Sequence, residues 1–115
     1  MTASAVLLVV TVGFLLAMLA VSAWMAQRLP PDGPVPVHFD IRGNADRLGS
    51  RWVVLSLLPA SYLVLTGVIM AIGAAAPPGE TDPVELIFGH VFASLVLLAA
   101  HGLVAFLLMR WARRQ

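Results

Sequence analysis

The 115-residue chain contains no cysteine and no lysine, and only 11% of its side chains carry a charge. Without cysteine there is no disulfide framework and no thiolate metal or redox centre. With so little charge, a water-soluble fold has too few polar side chains to cover itself, since soluble domains carry about 25% charged residues. Disorder is excluded as well, because it requires low hydrophobicity and high charge, whereas 60% of this chain is hydrophobic and the mean hydropathy is +0.93. Catalytic signatures are also missing. No Gly-x-Ser-x-Gly elbow, P-loop or His-Glu-x-x-His motif occurs, so no enzyme and no cofactor is expected. The length allows one small domain.

The few charges that are present are clustered. Residues 1–27, 52–79 and 86–109 contain no Asp, Glu, Lys or Arg, and about 20 apolar residues suffice to cross a bilayer. The expected fold is therefore an all-α integral membrane protein. Three transmembrane helices are expected at about 4–28, 51–75 and 83–112, joined by a proline-rich extended loop at 29–50 and a turn at 76–82. Leu29-Pro30-Pro31 ends the first helix, because proline lacks a donor and restricts its predecessor. Ser50 can cap the second, with Trp52 at interfacial level; Pro59 is expected to kink it, and Pro77-Pro78-Gly79 to stop it. Asp82-Pro83-Val84-Glu85 is a capping carboxylate, a first-position proline and a glutamate three residues on, which is a helix start signal.

A cleaved leader is the rival reading of the first segment, with Val21-Ser22-Ala23 as the cleavage pattern. Against it, the segment opens without Lys or Arg and outruns a usual leader core. Orientation follows from arginine. With three spans, the 28–51 loop and the C-terminal tail share one side, and that side holds all seven arginines. The positive-inside rule places both in the cytoplasm and Met1 outside.

The loop LPPDGPVPVHFDIRGNADRLGSR is not a passive connector. Pro30, Pro31, Pro34 and Pro36 impose an extended path. Beyond them, Val35, Val37, Phe39 and Ile41 alternate with Pro36, His38, Asp40 and Arg42, which places the second set together on a polar face. Gly43-Asn44 is a turn signal, and Asp46-Arg47-Leu48-Gly49 offers another. His38 reads either as a metal ligand or proton-responsive group, or as a strut tying the loop to Asp46 or to backbone. One histidine with one aspartate falls short of the three or four ligands of a stable metal site, so no metal is assigned. Asp46 and Arg51 are expected to form a structural ion pair.

Leu29-Pro30, Val35-Pro36-x-His38-Phe39, Gly43, Asp46-Arg47 and Gly49-Ser50-Arg51 before a helix resemble the uncharacterised N-terminal domain of SdpI-like toxin-immunity membrane proteins. Arg51 departs from that pattern, where a lysine is usual; the charge is kept and its geometry changes. The resemblance covers this loop; the flanking helices match only as generic apolar spans, and the C-terminal half of the longer immunity proteins is not covered. It implies a bacterial inner-membrane location, with resistance to a peptide toxin or signalling to a repressor protein. Pro36, His38, Phe39, Asp40, Gly43, Asp46, Arg47 and Arg51 are then the residues expected to bind the partner or to shape the loop.

His90 and His101 stand eleven residues apart, so one helix places them within about 20° on one face and about 16.5 Å apart. They cannot share a metal. Ionisable groups at this depth face the bundle interior. Each is expected either to hydrogen-bond Ser56, Ser61, Tyr62 or Thr66 of the second helix, or to line a proton or metal-ion path. Small residues such as Gly13-x-x-x-Ala17 and Gly67-x-x-x-Ala71 favour close helix packing and permit a homo-oligomer. Arg110, Arg113 and Arg114 with Trp111 read as an interfacial anchor, and nucleic-acid binding is not expected. Three functions remain: a loop-based recognition module, an oligomeric conduit built on the histidines, and an accessory subunit of a larger membrane complex.

Overall fold

The computed structural model describes residues 2–77, 79–80 and 82–115. Met1, at the start of the leader reading, and Pro78, in the expected stop after the second span, lie outside the described residues. Three helices form where charge is absent: α1 (Ala3–Arg28), α2 (Arg51–Ala75) and α3 (Pro83–Arg113). Each is long and apolar enough to cross a membrane, and the molecule measures 55 Å along its longest axis. Local chemistry sets the ends. The Thr2, Ser50 and Asp82 side chains accept from Ala5, Trp52 and Val84 backbone N–H groups, and Pro83 opens α3 where its missing donor costs nothing.

Between α1 and α2 the chain departs from an extended proline-rich loop. Strands β1 (Val35–Phe39) and β2 (Ala45–Gly49) form an antiparallel hairpin. Its turn is built by Asp40, whose carboxylate accepts from the Arg42 and Asn44 backbone N–H groups, each at 2.9 Å. Gly43 completes the turn with φ +78°, a left-handed conformation that other L-residues adopt at a cost. Pro36 is accommodated inside β1 because a two-stranded sheet has only edges.

The register pairs Pro36 with Leu48 and His38 with Arg47, then Phe39 with Ala45, so it slips on either side of His38. These irregularities break the simple alternation expected of the segment. Pro36 is buried with Val35, not displayed beside His38, while Ile41 lies past the strand end and is fully exposed.

The bundle is asymmetric. α1 and α3 pack most extensively and run parallel, with α2 returning against α1 more than against α3. Buried positions recur at eleven residues on both parallel helices: Leu7 and Met18, Thr11 and Ser22 on α1, His90 and His101, Ser94 and Ala105 on α3. Eleven residues make close to three helical turns, so such a stripe stays on one face. The largest apolar cluster lies at the hairpin end, where Met25, Leu29, Val35, Val54, Leu55, Ala105 and Leu108 join all three helices to β1. Large apolar side chains elsewhere, such as Leu16, Val64 and Phe92, are exposed on the outer faces, as expected where lipid is the solvent.

Candidate functional site

Two polar stations occupy the apolar bundle. In the first, the Thr11 hydroxyl donates to the Leu7 carbonyl at 2.7 Å, and its oxygen lies 2.9 Å from His90 Nε2. With the hydroxyl proton committed, the imidazole must be the donor, which fixes the Nε2–H tautomer. Ser94 similarly donates to the His90 carbonyl at 2.7 Å, so its oxygen accepts from the Tyr62 hydroxyl at 2.8 Å. The Tyr62 ring also faces the His90 ring, with centroids 6.2 Å apart. This station ties α1, α2 and α3 together.

The second station has a different logic. Pro59 has no N–H, so the Leu55 carbonyl four residues earlier loses its helical partner. Ser22 of α1 replaces it, donating to Leu55 O at 2.6 Å. The Ser22 oxygen then accepts from His101 Nε2 at 2.8 Å. One hydroxyl thus serves a proline-freed carbonyl on α2 and an imidazole on α3, and again all three helices are joined. His90 and His101 are 2% and 0% exposed. Their Nδ1 atoms lack a hydrogen bond of good geometry, although the Met18 backbone carbonyl flanks the His101 ring.

These contacts correct the expected partners of the histidines. Hydrogen bonds come from Thr11 and Ser22 of α1, not from α2. Tyr62 touches His90 by its ring, Ser56 and Ser61 bond their own helix backbone, and Thr66 is buried without a hydrogen-bond partner among the described residues. The reason is the packing, which sets the histidine face of α3 against α1. Thr11 and Ser22 did carry a signal, because their spacing of eleven matches that of His90 and His101.

At the hairpin, His38 Nδ1 lies 2.7 Å from Asp46 Oδ1, with both side chains largely exposed. The expected Asp46–Arg51 ion pair does not form. Asp46 is taken by His38 across the irregular register, while Arg51, in the first turn of α2, reaches back to the Pro30 carbonyl. A second tie missed by sequence reasoning comes from Arg110 of α3, which donates to Gly43 O at 2.6 Å. Nothing in the sequence links Arg110 to that turn. Phe39 packs partly buried against the apolar cluster, and Arg47 is exposed on β2. Among the described residues, no group of three or more His, Cys, Asp or Glu side chains is placed to hold a metal ion.

Exposed pairs of this kind contribute little. Replacing His38 with alanine is expected to cost less than about 1 kcal/mol in bundle stability, measured by unfolding in mixed micelles. A larger loss would mean that the pair holds the hairpin in place.

No curated protein and no solved structure matches the chain. A family model described as a domain of unknown function (DUF1648) matches residues 13–61. That segment runs from within α1 through the hairpin into the first part of α2, taking in Ser22, His38, Asp46, Arg51, Leu55 and Pro59. It stops short of α3 and both buried histidines, so the chain is similar to this family over residues 13–61 alone.

Proposed function

We propose that the protein is a membrane-anchored recognition module, not an enzyme, whose 35–49 hairpin presents a fixed surface to a protein or peptide partner. The supporting observation is the contrast between the residues that fasten the hairpin to the bundle and those it leaves exposed. Its inner side is fastened by Val35, Phe39, the Arg110–Gly43 bond and the adjoining Arg51–Pro30 bond. Away from these ties Ile41 and Leu48 are exposed, as are Arg42 and Arg47, which have no carboxylate within 4 Å among the described residues. A rigid surface loses little entropy on binding, and basic groups beside exposed aliphatic ones suit a partner with acidic and apolar side chains. Protection against a peptide toxin, or sequestration of a repressor protein, is the biological form we assign. The arginine distribution supports a cytoplasmic hairpin and C-terminus, and the resemblance of the 29–51 loop supports a bacterial inner membrane as the location.

A photo-crosslinking residue at Ile41, in native membranes, tests this reading. A discrete protein adduct is expected, lost when Arg47→Glu is added and absent when the probe sits at Val64 on the outer face of α2. Adducts of equal yield at both positions, or lipid adducts alone, would defeat it.

The conduit reading draws less support. Each imidazole N–H is donated to a hydroxyl that donates in turn to a backbone carbonyl, which closes the chain. Its test is proton or metal-ion flux into liposomes, with and without His90→Phe and His101→Phe; flux abolished by the replacements would restore it. An accessory-subunit role rests only on the exposed apolar helix faces, which lipid also covers.

A further inference from the structure

A cleft of about 360 Å³ lies where α1 and α3 end together, lined by Trp24, Arg28, Met109, Ala112 and Arg113. Its position follows from the parallel pairing of these helices, because their charge-free runs finish on the same side at residues 27 and 109. That boundary is the depth of lipid headgroups. Arg28 is held over the Trp24 ring, 4.3 Å from its centroid. Neither Arg28 nor Arg113 has a carboxylate within 4 Å among the described residues. Two guanidinium groups without counter-ions therefore border one cleft, and Met109, Ala112 and the indole give it apolar walls.

We infer that this cleft is a binding site for an anionic phospholipid, its phosphodiester held by Arg28 and Arg113 and its glycerol and upper methylenes lying against Met109, Ala112 and Trp24. Guanidinium forks match phosphate oxygens in pairs, and an interfacial tryptophan suits the boundary between headgroup and acyl chain. The site is not a helix-dipole site. Both helices present their C-terminal ends here, where the partial charge is negative. The anion therefore depends on the two side chains, and removing them should be decisive. A soluble phosphate would leave the apolar walls unused, which favours a lipid.

The test uses the full chain in nanodiscs of phosphatidylcholine containing phosphatidylglycerol, with retained lipid read by native mass spectrometry. Wild type is expected to retain phosphatidylglycerol over phosphatidylcholine by about tenfold, a magnitude typical of one or two charge-assisted hydrogen bonds. The R28Q/R113Q variant should fall to no preference. R113Q alone, at an exposed position that cannot threaten folding, should lose several-fold. R47Q, which removes an arginine from the hairpin instead, should retain the wild-type preference. Preference surviving in R28Q/R113Q, or lost equally in R47Q, would overturn the site in favour of diffuse charge. Displacement of the lipid by inorganic phosphate at matched concentration would overturn the lipid assignment.

Discussion

Replacing Ser22 with alanine is expected to destabilise the bundle by about 2 kcal/mol, more than its small change in volume explains. The substitution removes the side-chain donor to the Leu55 carbonyl that Pro59 leaves open, and the acceptor of His101 Nε2–H. His101 and Leu55 are both buried, and an unpaired polar group in an apolar setting is costly. Thr11→Ala should cost about half as much, because the Leu7 carbonyl keeps its ordinary helical partner and only the His90 N–H is orphaned. The mechanism makes a sharper prediction through Pro59. Pro59→Ala restores an N–H to α2, so in the Ser22→Ala background it should recover about 1 kcal/mol by satisfying Leu55 from within the helix. Unfolding of the four proteins of this cycle, measured in mixed micelles, checks it. Strictly additive effects would mean that Ser22 does not serve the proline-freed carbonyl.

Gly43→Ala is the second substitution with a large expected effect, confined to the hairpin. At φ +78° a Cβ costs about 1–2 kcal/mol from backbone sterics alone. That Cβ would also stand 2.8 Å from the Arg110 guanidinium and 3.1 Å from Leu107 Cδ2. Arg110 must then withdraw from the Gly43 carbonyl, adding the loss of a charge-assisted hydrogen bond. Hydrogen exchange of β1 and β2 amides should accelerate by about thirtyfold or more, while the centres of α1 and α3 remain as protected as before. Arg110→Met separates the two causes, since it removes the tie without straining the turn, and should accelerate exchange less. Unchanged hairpin protection in Gly43→Ala would show that neither the turn nor the tie holds the hairpin.

Much of the architecture can be read from where charge is absent, because three long apolar runs have few alternatives to spanning helices. The helix starts at Ser50 and Asp82 are equally local, set by a side chain within a few residues of the backbone it caps. The hairpin was only half visible. Alternation and the Gly43-Asn44 turn signal pointed to extended chain that reverses, but the register slips beside His38 depend on packing against α2 and α3. That is why Ile41 and Pro36 exchanged their expected environments. The histidines show the same divide. Their shared face followed from helical geometry, whereas their partners depended on which helix lay opposite, a choice that hydrophobicity alone does not make. Arg51 and Arg110 found backbone carbonyls, and acceptors of that kind are carried by every residue and marked by none.

The two stations have one consequence for how α1 and α3 are aligned. Thr11 meets His90 and Ser22 meets His101, each pair separated by the same 79 positions. A slip of one turn, three or four residues, would unmate both pairs at once and set polar groups against aliphatic ones. A slide of eleven residues, about 16.5 Å, would bring a hydroxyl back to an imidazole for one pair alone. The spacing therefore works as a vernier with a single full coincidence, giving two otherwise oily cylinders a unique axial setting that apolar contact cannot supply.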